Sequence, residues 1–203
     1  METKSVQLPV YYFGTPIALI TTINVAGNVN ITPMSSAWAL GDRIVLGLSE
    51  TSQGRENLLR ERQAVLNFPD ASLWQSVEAI ARLTGRNPVP EHKKKYGYTY
   101  ASDKLASLGL TTVASEIVRP YRIQECPLQI EVELLASHDP ALPLPGSPES
   151  FQILETRIVK CHAHESILRL DGNHIDTEQW KPLFYIFRNY ATSSQNLGGT
   201  FKA

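Results

Sequence analysis

The chain carries only two cysteines in 203 residues, Cys126 and Cys161. That count makes no disulfide framework, and the expected setting is a reduced, cytoplasmic one. No apolar run approaches the roughly 20 residues that span a bilayer. No apolar stretch follows Met1-Glu2-Thr3-Lys4, so no secretory leader is expected. Neither sign of charge is in excess: 19 Lys and Arg stand against 20 Asp and Glu, for a formal net charge of -1. This balance gives no electrostatic case for nucleic acid or an anionic membrane as partner. There is no internal repeat, and no catalytic triad, paired-carboxylate site or metal cluster is recognisable by spacing. The remaining composition, 42% hydrophobic and 19% charged, is that of an ordinary globule with a substantial core, read as one domain over residues 1–203.

Short strands and tight turns dominate what is there. Pro16-Ile17-Ala18-Leu19-Ile20-Thr21-Thr22-Ile23 is rich in β-branched residues and reads as a strand. Ala26-Gly27-Asn28 turns the chain back into a second strand, Val29 to Thr32, and Gly41-Asp42 precedes the strand ending at Leu48. The rhythm argues for a barrel or sandwich. It breaks at Pro69-Asp70, where Ser72 as N-cap and Gln75 form a capping box. Leu73, Trp74, Val77, Ile80 and Ala81 then predict a helix ending near Thr84-Gly85.

Further on, Lys93-Lys94-Lys95 reads as a solvated face. Residues 96–110 form a covering loop around Lys104, either a lid or a surface insertion. Residues 128–134 alternate apolar and polar, predicting a half-buried strand with a wet outer side. Pro140, Pro143, Pro145 and Pro148 make 137–150 a loop. Residues 153–164 are the longest strand candidate, with Ile158, Lys160, His162 and His164 on one face and Cys161 on the other. Cys161 therefore cannot join the histidines around a metal, and two histidines lack a third ligand. The aromatic segment 180–190 either fills the base of a barrel or meets another subunit. Residues 196–201 read as a flexible tail.

The most informative stretch is 30–69. A polar turn, Asn30-Ile31-Thr32-Pro33-Met34-Ser35-Ser36-Ala37-Trp38, is followed by the strand Arg43-Ile44-Val45-Leu46-Gly47-Leu48. Then come Ser49-Glu50-Thr51-Ser52-Gln53-Gly54-Arg55, a helix from Glu56 to about Arg62, and a strand, Ala64-Val65-Leu66-Asn67-Phe68. The first turn of a helix leaves N–H groups without partners and carries partial positive charge. Hydroxyls, a glycine and an arginine there can hold a phosphate. The alternative is that Thr51 or Ser52 merely caps the helix.

The order of Tyr12-Phe13-Gly14-Thr15-Pro16, Thr32-Pro33-Met34-Ser35-Ser36-Ala37-Trp38, Glu56-Asn57-Leu58-Leu59, Val65-Leu66-Asn67-Phe68-Pro69, Glu125-Cys126-Pro127 and Trp180-Lys181-Pro182-Leu183 resembles the flavin reductase-like proteins. The resemblance covers nearly the whole chain. It implies a mainly β fold, an FMN-binding split β-barrel of Greek-key type with short peripheral helices, paired as a homodimer. It also implies an oxidoreductase that takes electrons from NAD(P)H through FMN to an acceptor. The cofactor residues it implies are Thr32, Pro33, Met34, Ser35, Ser36, Trp38, Ser49, Thr51, Ser52, Gln53, Gly54, Arg55, Asn57 and Asn67, with His162 near the reacting rings. Many relatives carry Thr where this chain has Gly54, so the phosphate is expected to rest on Ser52, Gln53, Arg55 and backbone N–H groups. Two other classes fit the same residues: an FMN-binding electron carrier without a nicotinamide site, and a flavin-free interaction module. A pyridoxamine-phosphate oxidase-like enzyme shares the barrel, but the Glu125-Cys126-Pro127 and Thr32-Pro33-Met34-Ser35-Ser36 matches favour the flavin reductase side.

Overall fold

Fourteen strands and three α-helices follow one another in the computed structural model, which describes residues 1–8, 10–140, 150–193 and 197–198. They are β1 (Phe13–Pro16), β2 (Ala18–Ile23), β3 (Val29–Met34), β4 (Ala37–Leu40), β5 (Arg43–Ser49), α1 (Gln53–Glu61) and β6 (Gln63–Phe68). Next are α2 (Trp74–Ala81), β7 (Leu83–Thr84), α3 (Glu91–Lys95), β8 (Thr99–Tyr100), β9 (Thr112–Val113) and β10 (Arg122–Ile123). The last are β11 (Leu128–His138), β12 (Phe151–Ala163), β13 (Leu183–Ile186) and β14 (Asn189–Thr192). Among the described residues no helix is long and apolar enough to cross a membrane.

The main sheet is antiparallel and seven-stranded, in the order β3-β2-β6-β11-β12-β5-β4. Its outermost strands, β3 and β4, are joined by Ser35 and Ser36 alone. Laid flat, those strands would stand about 29 Å apart at ~4.8 Å per step, while the link from Met34 to Ala37 reaches at most roughly 11 Å. The sheet therefore has to curl until its edges meet, giving a half-barrel. A backbone bond from Gly47 N–H to the Ser36 carbonyl, 2.8 Å, holds the link against β5.

Ala18, Ile20, Leu46, Leu48, Leu66, Val132 and Leu154 fill the inside of the curl, sealed by Leu58 of α1. A second core lies on the other face of β2, where Ile17, Leu19 and Ile31 pack against Val77 and Ile80 of α2 and against Leu105, Ile123 and Leu183. Thus β2 is buried throughout. The terminal segment forms a small sheet, β1-β13-β14, beside this second core.

Several local expectations are corrected. The polar stretch 30–38 is mostly extended strand, because β2 pairs with Val29 to Met34 and the start of β5 pairs with Ala37 to Leu40. Helix α1 starts at Gln53, earlier than Glu56. Asp70 caps a 3-10 turn, Ala71–Leu73, that leads into α2, accepting from Ser72 N–H at 2.9 Å and from its hydroxyl at 2.6 Å; α2 itself has no side-chain cap and stops at Ala81. Ser137 and His138 belong to β11; the prolines at 143, 145 and 148, and all but residues 197–198 of the tail, lie outside the described residues.

The polar face of β11 is not wet. Gln129 and Glu131 are buried: the N–H groups of 116–118 close over Glu131, while Gln129 donates to the Ile123 and Cys126 carbonyls and accepts from Arg122. A bulge sets Lys160 opposite Glu131 and Ile158 opposite Val132, so Ile158 leaves the face that Lys160 and His162 share. His164 falls beyond the strand, with Nε2 on the Gln124 carbonyl at 2.8 Å.

Candidate functional site

A cavity of about 450 Å³ opens where the Ser35 and Ser36 link, the start of α1, helix α2 and the small terminal sheet converge. Its polar wall carries Thr32, Ser35, Ser36, Ser49, Ser52 and Gln53. The sequence dictates this wall locally. Ser52 is extended (φ -74°, ψ 129°) and its hydroxyl accepts from Arg55 N–H at 3.4 Å, so it caps α1 and presents the helix start to the cavity. Gly54 lets that start press against β3: a Cβ there would come within 2.4 Å of Thr32 Oγ1. Gly85, which lines the cavity, is as close, its Cβ position lying 2.5 Å from Asn30 Oδ1.

Two lysines reach this region. Lys93 Nζ donates to the Thr51 carbonyl at 3.4 Å, beside Arg86 Nε on the same oxygen at 3.3 Å. Lys104 is 5% exposed and donates to the Ile31 carbonyl at 2.7 Å. Burial first, and then the neighbouring Lys93 charge, push its ammonium down to about 8. The opposite wall is aromatic. Tyr12 meets Tyr185 edge-on at 5.2 Å, and Tyr185 meets Tyr190 at 5.8 Å. Tyr190 donates its hydroxyl to Glu78 Oε2 at 2.9 Å. Burial and this carboxylate raise the Tyr190 phenol well above its usual range.

A model of the flavin reductase like domain matches residues 10–194. The chain belongs to the flavin reductase-like family. The uncharacterized protein YdfE of Bacillus subtilis (strain 168) is 42% identical over 200 residues, covering 98% of this chain and 94% of its own length. Flavoredoxin of Desulfovibrio vulgaris (Miyazaki F) superposes with a TM-score of 0.79 at 22% identity, over 100% of this chain and 99% of that one. An FMN-binding protein from Thermus thermophilus, solved with bound 1-cyclohex-2-enone, gives a TM-score of 0.71 at 16% identity, over 98% and 100%. The half-barrel is thus the split barrel of this family.

Of the expected flavin residues, the structure brings Thr32, Pro33, Met34, Ser35, Ser36, Ser49, Ser52 and Gln53 to one cavity. Thr51 stands behind it, its carbonyl held by Lys93 and Arg86. Gly54 supports the wall from the rear. The other residues point elsewhere. Trp38 is 58% exposed on β4. Arg55 turns to β12, with Nε on Gln152 Oε1 at 2.8 Å. Asn57 is buried and ties α1 to Thr22 and Asn24 at 3.0 and 2.8 Å. Asn67 is buried too, bonding the Leu19 carbonyl at 2.9 Å and Ile123 N–H at 2.8 Å. His162 is not among the cavity walls; its Nε2 shares a 2.7 Å hydrogen bond with Glu131 Oε1.

Sequence reasoning did not assign Lys93, Tyr98, Tyr12, Tyr185, Tyr190 or Glu78 to the site, and noted Lys104 without a role. The aromatic density of 180–190 signalled Tyr185 and Tyr190, and the covering loop of 96–110, which the resemblance sets near the flavin, signalled Tyr98 and Lys104. The donor set suits a flavin. Hydroxyls and backbone groups along the link match a ring edge rich in acceptors, cations and a helix start match a phosphate, and tyrosines and Met34 offer apolar surface.

Proposed function

We propose that the protein is an FMN-dependent oxidoreductase that passes electrons from NAD(P)H through the flavin to an acceptor. The observation that carries this reading is the junction, in one cavity, of the capped start of α1, the hydroxyls of Ser35, Ser36 and Ser49, and the two lysines. Ser49, Ser52, the first-turn N–H groups of α1 and Lys93 would take the phosphate. Ser35 and Ser36 would orient the ring edge. When bound, the flavin supplies the hydride and electron chemistry. The chain binds, orients and shields, and α2 with the tyrosines excludes water from one side. The test is the absorbance spectrum of purified protein with chromatography of the released cofactor, then anaerobic titration with NADH and NADPH. A colourless protein that takes up no FMN would sink it.

A second reading is an electron carrier that holds FMN without its own nicotinamide site. The end-to-end fold likeness to a flavoredoxin supports it. Flavin that is reduced by dithionite but by neither nicotinamide would select it. Homodimerisation belongs to the same proposal: Trp38 and Leu40 stand 58% and 74% exposed on the edge strand β4, a surface that a two-fold partner would cover. Light scattering should give about twice the chain mass of 22.6 kDa.

A further inference from the structure

The cavity is electrically lopsided. Lys93 and Lys104 stand together, close enough for one charge to disfavour the other. At the far end Glu78, on α2, faces Tyr190 and Tyr185, and its negative charge helps to raise both phenols. Glu78 Oε1 is met at 3.3 Å by Arg82, whose side chain is 76% exposed, so water screens that cation more than it screens the carboxylate. The Tyr190 hydroxyl already donates its hydrogen bond to Glu78. Tyr12, Tyr185 and Tyr190 form a run of tilted rings beside it.

Such an end discriminates by charge. Ring faces attract flat rings and cations. A carboxylate accepts from neutral donors, attracts ammonium and repels a second carboxylate. A phosphate is drawn to the lysine end, so the tyrosine end is what remains for another reactant. We propose that the tyrosine end is the subsite of the second reactant, and that Glu78 makes it selective for flat rings carrying a neutral hydrogen-bond donor or a cation over rings carrying a carboxylate. This rests on the reading that FMN occupies the lysine end.

Three probes of matched shape test it: 4-nitrobenzylamine, 4-nitrobenzyl alcohol and 4-nitrobenzoate. Their dissociation constants are measured calorimetrically on the purified full chain at neutral pH, with flavin content determined on the same sample. The cation and the alcohol should bind about fivefold tighter than the carboxylate, the scale of one partly exposed charge contact. High salt should collapse the ratio. Glu78→Gln should level the series, and Tyr190→Phe, which keeps the ring and frees the carboxylate, should keep the ordering. Equal affinities in the wild type, an ordering that survives Glu78→Gln, or no binding of any probe at millimolar concentration would overturn the proposal. The salt dependence in the wild type decides the matter even if Glu78→Gln does not fold. A sample that neither holds nor takes up flavin defeats the FMN reading; on that sample the probes are compared with inorganic phosphate saturating the lysine end, so that 4-nitrobenzoate is not drawn there and the charge ordering at Glu78 is still judged.

Discussion

Glu131 Oε1 and His162 Nε2 lie 2.7 Å apart across the β11–β12 ladder, with the carboxylate fully buried. Glu131 also accepts N–H bonds from Glu116, Ile117 and Val118 at 2.9, 2.8 and 3.0 Å. Burial alone would raise this carboxyl; the Glu116 N–H, the His162 ring and the other two N–H groups outweigh it and hold it below the ordinary range.

Glu131→Ala should therefore cost about 3 kcal/mol or more in urea denaturation, because it strands three donors under residues 116–118. With a depressed folded pKa, the contribution is complete above the unfolded carboxylate value and is lost as pH falls through the lower folded one. The stability difference between wild type and Glu131→Ala should narrow with acid on that side only. A difference independent of pH would assign the loss to packing.

His162→Ala should cost about 1 kcal/mol and leave flavin affinity unchanged, since the ring serves Glu131 and not the cavity wall. Weaker flavin binding by a well-folded His162→Ala protein, measured by fluorescence quenching, would return His162 to the site.

Lys93→Ala should weaken FMN about tenfold or more while changing riboflavin little, since a charged hydrogen bond is worth ~1.5–3 kcal/mol. Arg55→Ala should affect the two flavins alike, because Arg55 is engaged with Gln152 and the Glu50 carbonyl. A loss specific to FMN in Arg55→Ala would place the phosphate at Arg55 instead.

Gly54→Ala should destabilise by about 1–3 kcal/mol despite the better helix propensity of alanine, because the new methyl meets Thr32 Oγ1. Thr32→Ala in the same chain should recover part of the loss, since it removes the Oγ1 contact and keeps Thr32 Cβ at 3.0 Å. Additive losses in thermal melts would mean that the two residues do not touch.

Lys104→Met should stabilise the protein most at neutral pH. Lys104 is lowered to about 8 when folded and returns to 10.5 when unfolded, so its burial cost is full below the folded value. The cost is relieved as pH rises between the two, because the unfolded chain then binds the extra proton. The cost is on the order of 3 kcal/mol. A gain that does not shrink between pH 8 and 10.5 would show that the ammonium is not what Lys104→Met removes.

Local signals made the polar half of the site legible. Ser52 could be read as a cap because hydroxyls cluster just ahead of a helical pattern, and Ser35 and Ser36 because they sit between strands. The aromatic half was not, since Tyr12, Tyr185 and Tyr190 meet through the pairing of β1 with β13 and of β13 with β14, while Tyr98 reaches the cavity from the segment between α3 and β8. Lys93 reads as one of three solvated lysines; only the fold of 85–98 points it inward. Glu131 reads as wet because alternation reveals which residues share a face but not what later covers that face. Arg55 and Asn57 sit on a helix whose start is legible, but their direction depends on β12 and β2, which sequence spacing does not place.

The link of Ser35 and Ser36 also acts as a gauge. It fixes the girth of the barrel covalently, where the neighbours β2 and β6, β6 and β11, and β12 and β5 are held by hydrogen bonds without a short connection between them. One residue added between Met34 and Ala37 would loosen the closure and displace the serine hydroxyls from the cavity in the same step, while the Gly41-Asp42 turn keeps β4 in register with β5. Girth and the ligand wall are thus one quantity in this protein, set by two small residues and changed only together.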